Sequence, residues 1–126
     1  MKKIVATDQA PAAVGPYSQA VWAGPLLFIS GQIPIKGGNL LQGSIEEQTE
    51  VVLSNLKGIL SSQGLNLESV IKTTVFLKNI NDFSKMNDIY ARYFSSLPPA
   101  RSTVEVSALP KGVAVEIDAV AYKGGA

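Results

Sequence analysis

The chain has 126 residues, 46% hydrophobic and 17% charged, with eleven Lys and Arg against ten Asp and Glu. That balance describes one ordinary folded domain, excludes a disordered polymer, and offers no overall basic footprint for nucleic acid. Histidine and cysteine are both absent, which removes disulfides, thiol nucleophiles, Cys/His zinc sites and Ser-His-Asp triads together. Acid–base work must fall to carboxylates, tyrosine, lysine or water. No stretch approaches the roughly 20 apolar residues of a membrane span, and no long apolar core follows Lys2 and Lys3. The expectation is a cytoplasmic protein of one domain, residues 1–126.

In chain order, a short opening strand precedes two strands, residues 18–22 and 26–33, which form a hairpin broken by Ala23-Gly24-Pro25. Lys36-Gly37-Gly38-Asn39 reads as a turn. Ser44 and Glu47 have the spacing of a capping box, in which hydroxyl and carboxylate each satisfy the other residue's free amide. The helix they open carries Val52, Leu56, Ile59 and Leu60 on one face and stops at Gly64. Residues 70–77 form a strand. A second helix begins near Asn81 or Asp82 and ends before Pro98-Pro99. Two last strands, 102–106 and 113–122, are joined through Leu109-Pro110-Lys111-Gly112 and are expected to form an antiparallel hairpin. The sum is an α+β domain without linkers or repeats.

Two charges interrupt the final strands. Arg101 and Glu116 each break an apolar, β-branched run, where charges are rare unless paired or used. In the expected hairpin, Thr103 lies opposite Glu116 and Arg101 near Asp118, with register as the weak point. A guanidinium can grip a carboxylate at two points, and a carboxylate can take a proton from water. The same pattern also fits a cross-strand salt bridge on a solvated face. On the second helix, Phe83, Met86, Tyr90 and Phe94 form an apolar stripe with Asn87 at its edge. Asn87 is either a polar site residue or a partner for a neighbouring backbone group. Ser30 is either packed or functional, and Gly31 beside it permits close backbone approach.

Several segments, taken in order, resemble the reactive intermediate deaminase A (RidA/YjgF) family. They are Ala10-Pro11-Ala12-Ala13-Val14-Gly15-Pro16-Tyr17-Ser18-Gln19, Ile29-Ser30-Gly31-Gln32-Ile33-Pro34 and Val70-Ile71-Lys72-Thr73-Thr74-Val75-Phe76-Leu77. Pro99-Ala100-Arg101-Ser102-Thr103-Val104 and Val115-Glu116-Ile117 complete the set. The resemblance implies a chorismate-mutase-like mixed sheet with two helices on one face, assembled as a homotrimer with sites between subunits. It implies cofactor-independent hydrolysis, with no metal, of enamine and imine products of pyridoxal-phosphate enzymes, such as 2-aminoacrylate and 2-iminopropanoate. The products are 2-oxo acids and ammonia. Arg101 is expected to bind the substrate carboxylate and Glu116 to position or activate water. Tyr17, Ser30, Gly31 and Asn87 match other positions lining the family's site. Thr103 stands where many members have cysteine, at a position the family uses through its backbone carbonyl. The partner is thus a small imino acid, with no membrane and no nucleic acid. Relatives described as single-strand ribonucleases, translation inhibitors or chaperone-like proteins supply the alternative readings.

Overall fold

The computed structural model describes residues 2–124. Its strands are β1 (Lys3–Val5), β2 (Ala20–Ala23), β3 (Leu26–Gln32), β4 (Ile35–Lys36), β5 (Asn39–Leu40), β6 (Val70–Leu77), β7 (Ala100–Glu105) and β8 (Val115–Tyr122). Its helices are α1 (Ile45–Ser62) and α2 (Phe83–Tyr93). Six strands build one sheet in the order β1-β2-β3-β8-β6-β7, while β4 and β5 pair by themselves across the Gly37-Gly38 turn. Both glycines there have positive φ, which a Cβ would resist.

The helices form where the local chemistry asks for them. Ser44 Oγ accepts from Glu47 N while Glu47 Oε1 accepts from Ser44 N, the reciprocal cap that opens α1. Beyond the C-cap Gln63, Gly64 has φ +72 and turns the chain away. Both helices cover one face of the sheet. Leu27, Ile29, Val75, Leu77, Val115, Ile117, Ala119 and Ala121 point into that layer and are buried with Val52, Leu53, Leu56, Ile59, Leu60, Met86 and Ile89 from the helices. Along β8 the intervening residues Glu116, Asp118, Val120 and Tyr122 point the other way and are half-buried or exposed. This second face is bare and carries exposed Phe28, Ile71, Val104 and Tyr122.

The expected hairpin between the two last strands does not form. β7 pairs in parallel with β6, and β8 pairs antiparallel with β6 and β3, so β6 stands between them. The reason lies in the order strand–helix–strand. α2 links β6 to β7 as a crossover, and a helical crossover delivers the second strand parallel to the first. Residues 106–114 then carry the chain past β6 rather than folding it back on β7. As a result Arg101 lies beside Thr73 and Thr103 beside Val75, on the helix-covered face. Glu116 lies beside Phe76, on the bare face. The expected proximities of Thr103 to Glu116 and of Arg101 to Asp118 are therefore absent.

Candidate active site

One half of the site sits where the edge strand β7 meets α2. The Nη1 of half-buried Arg101 donates a 2.7 Å hydrogen bond to Asn87 Oδ1. Its Cζ stands 4.6 Å from the Tyr90 ring centroid and 5.4 Å from that of Phe83. Tyr90 is fixed in turn by a 2.7 Å hydrogen bond between its hydroxyl and Thr73 Oγ1, buried in the core. Burial raises the Tyr90 hydroxyl above its ordinary value, against the opposing effects of the Thr73 bond and the Arg101 charge. The phenol is thus neutral wherever the protein is folded near neutrality. The Arg101 guanidinium bonds an amide oxygen rather than a carboxylate, so its charge and its other N–H groups remain available. Thr103, on the same face of β7, has a buried hydroxyl without a hydrogen-bond partner.

The other half lies across the sheet. β3 and β8 lose register between Ile29 and Gln32, where Ser30 and Gly31 together oppose a single residue of β8. This β-bulge bends the strand and leaves room above it. The Glu116 carboxylate fills that room: a Cβ on Gly31 would overlap Glu116 Oε2. Glycine at 31 is therefore a requirement of close approach. Ser30 is held by its backbone N–H on Gln19 O and by its hydroxyl on Ser18 O. Burial first, and the neighbouring Asp118 carboxylate second, push the Glu116 carboxyl above its usual range.

Tyr17 belongs to neither half. It is 55% exposed on the loop before β2, with its hydroxyl accepting a long bond from Val14 N. The start of that loop is anchored by buried Gln19, whose amide bonds Thr7, Ala10 and Pro11. A wide groove along residues 4–19 and 35–38 reaches Tyr17 and Ser18 but neither Arg101 nor Glu116.

The structure thus joins Arg101 with Asn87, and Glu116 with Gly31 and Ser30. It separates the two charges onto opposite faces of one sheet. Sequence reasoning did not assign roles to Thr73, Phe83 and Tyr90. The signal was present in the spacing of Phe83, Asn87 and Tyr90, which places all three on one helical stripe. Among the described residues, no group of three or more His, Cys, Asp or Glu side chains is placed to hold a metal ion. Among the same residues, no helix is long and apolar enough to cross a membrane.

Known proteins resemble this chain in both sequence and fold. The family model described as "Endoribonuclease L-PSP" matches residues 7–123. A RutC family protein of Pyrococcus horikoshii is 55% identical over 98% of this chain and 99% of its own length. The human protein named 2-iminobutanoate/2-iminopropanoate deaminase is 44% identical over 98% of this chain and 92% of its own. The crystal structure of E. coli TdcF with bound serine superimposes with a TM-score of 0.92 at 39% identity, covering 97% of this chain and 99% of that one. Matched almost from end to end in sequence and in fold, the chain belongs to the endoribonuclease L-PSP family, which is the RidA/YjgF family it was expected to resemble.

Proposed function

We propose that this protein is a cofactor-independent deaminase that hydrolyses 2-imino and enamino acids, such as 2-iminopropanoate and 2-aminoacrylate, to 2-oxo acids and ammonia. The observation that carries the reading is Arg101: a half-buried guanidinium oriented by Asn87 and two rings, with donors left over for a planar carboxylate. The names of the bovine and human relatives, and the serine bound to E. coli TdcF, point to the same class of small carboxylate ligand.

The chemistry fits the residues. A protonated imine carbon is already electrophilic, so the protein has only to hold the acid and place a water. Glu116 takes a proton from that water as the C–O bond forms, giving a carbinolamine. Glu116 returns that proton to nitrogen and then takes the carbinolamine's hydroxyl proton as the C–N bond breaks, so that ammonia leaves, the C=O of the 2-oxo acid forms, and the last proton passes to the departing ammonia. A carboxyl whose proton affinity is raised by burial is a better base than an exposed one. Tyr17, Ser30, Gly31 and Thr103 complete the walls, Thr103 through its backbone carbonyl.

One chain alone does not hold Arg101 and Glu116 in one cleft, because they face opposite sides of the sheet. The site closes when the bare face of one copy meets the β7 edge of another, so the working unit is a homotrimer with its sites between subunits, acting in the cytoplasm. The exposed Phe28, Ile71, Val104 and Tyr122 give that bare face an apolar surface to cover.

The family model's description favours a second reading, a single-strand ribonuclease. A charge of +1 and the absence of histidine weigh against it. The deciding experiment incubates the purified protein with freshly generated 2-iminopropanoate and, separately, with single-stranded RNA. Imine hydrolysis that disappears in Arg101→Ala, with RNA left intact, is the expected result. RNA cleavage by a protein inert towards the imine would reverse the assignment.

A further inference from the structure

We propose that Phe83 and Tyr90 are positioning residues that hold the Arg101 guanidinium in place for a ligand carboxylate, an assignment that rests on the deaminase reading above. An arginine on an edge strand has many rotamers, and a ligand that must freeze them binds less tightly. Here they are already frozen. Phe83, Asn87 and Tyr90 stand at helical spacing on α2, and all three meet Arg101: two rings at 5.4 and 4.6 Å and one amide oxygen at 2.7 Å.

The bracket is itself tied down at both ends. At one end the Tyr90 hydroxyl bonds Thr73, the residue of β6 that lies beside Arg101 in the parallel register. At the other, Glu105 Oε1 at the end of β7 accepts from the backbone N–H of Ile80, just ahead of α2. Both bonds tie α2 and the residues just before it to the strands around Arg101. Phe83 separates positioning from simple packing. It is 36% exposed, so the core does not require its full bulk, yet its ring faces the cation.

The test measures pyruvate affinity, KM and kcat for 2-iminopropanoate, and Tm for the wild type, Phe83→Leu, Phe83→Tyr, Tyr90→Phe and Arg101→Ala. Phe83→Leu is expected to weaken pyruvate and raise KM about three- to fivefold, the size of an exposed cation–π contact, with Tm nearly unchanged. Phe83→Tyr, which keeps the ring, should restore both. Tyr90→Phe keeps its ring but loses the Thr73 anchor, and should raise KM more than it lowers kcat. Wild-type affinity in Phe83→Leu, alongside lost affinity in Arg101→Ala, overturns the bracket and leaves the carboxylate clamp standing. So does a loss in Phe83→Leu that Tyr does not restore, or one matched by a large fall in Tm. Undiminished pyruvate binding in Arg101→Ala overturns the clamp itself, and the bracket with it.

Discussion

Two threonines on the same face of the sheet make opposite predictions. The Thr73 hydroxyl satisfies Tyr90 in the core, whereas the Thr103 hydroxyl is buried with no partner. Thr73→Val strands the Tyr90 hydroxyl and should cost about 1–3 kcal/mol in denaturant unfolding. Thr103→Val removes an unpaired polar atom and should be neutral or stabilise by up to ~1 kcal/mol in the same measurement. In the proposed mechanism Glu116 sets activity against stability. Its folded pKa is raised, so the fold binds that proton more tightly than the unfolded chain does. The resulting stability is present at low pH and is lost as pH rises through the raised value. Glu116→Gln, uncharged throughout, should therefore melt higher than wild type at neutral pH while turning over more slowly. In the wild type, the acidic limb of the kcat profile should lie above the ordinary carboxylate range of roughly 4, because only the ionised form accepts a proton. Arg101→Lys should rescue little of the Arg101→Ala defect, since a point charge cannot reproduce the planar fork. Arg101 and Glu116 stand out in the sequence because each charge breaks an apolar run. Their partners do not, because partners depend on register.

At the scale of elements, one glycine matters because backbone is pressed against it. Gly58 lies inside α1, where alanine ordinarily gains about 0.5–1 kcal/mol over glycine. A Cβ at 58, however, would overlap the carbonyl oxygen of Gln9, so backbone must move. Overpacking typically costs about 1–3 kcal/mol and outweighs the propensity gain. Gly58→Ala should therefore lower Tm, and should also disturb the loop that leads to Tyr17. Both helices and the β2–β3 hairpin were legible, since caps, turns and periodicity act locally: Ser44 with Glu47, Gly64, and the Ala23-Gly24-Pro25 break. The pairing of β7 was misread for the converse reason. Leu109-Pro110-Lys111-Gly112 looks like a turn between neighbouring strands. The sequence strand–helix–strand over residues 70–105 carries the stronger constraint, and that constraint is topological.

For the whole molecule, the proposed reaction requires assembly, since Arg101 and Glu116 lie on opposite faces of one sheet. Light scattering should return three times the 13.3 kDa chain mass at micromolar concentration, and dilution to monomer should abolish hydrolysis. Full activity at the monomer mass would contradict the composite site. Extended dialysis against a chelator should leave the rate unchanged, since the proposed roles of Arg101 and Glu116 need no metal. Chain-level patterning could not show any of this, because which faces are shared between copies is not written in the periodicity of one of them. The opposite-face placement of Arg101 and Glu116 also has a genetic consequence. An Arg101→Ala chain still supplies an intact Glu116, and a Glu116→Gln chain still supplies an intact Arg101. Two inactive alleles expressed together should thus complement, with about a quarter of sites in randomly mixed cyclic trimers rebuilt from the sound half of each. Two alleles damaged in the same half should never do so.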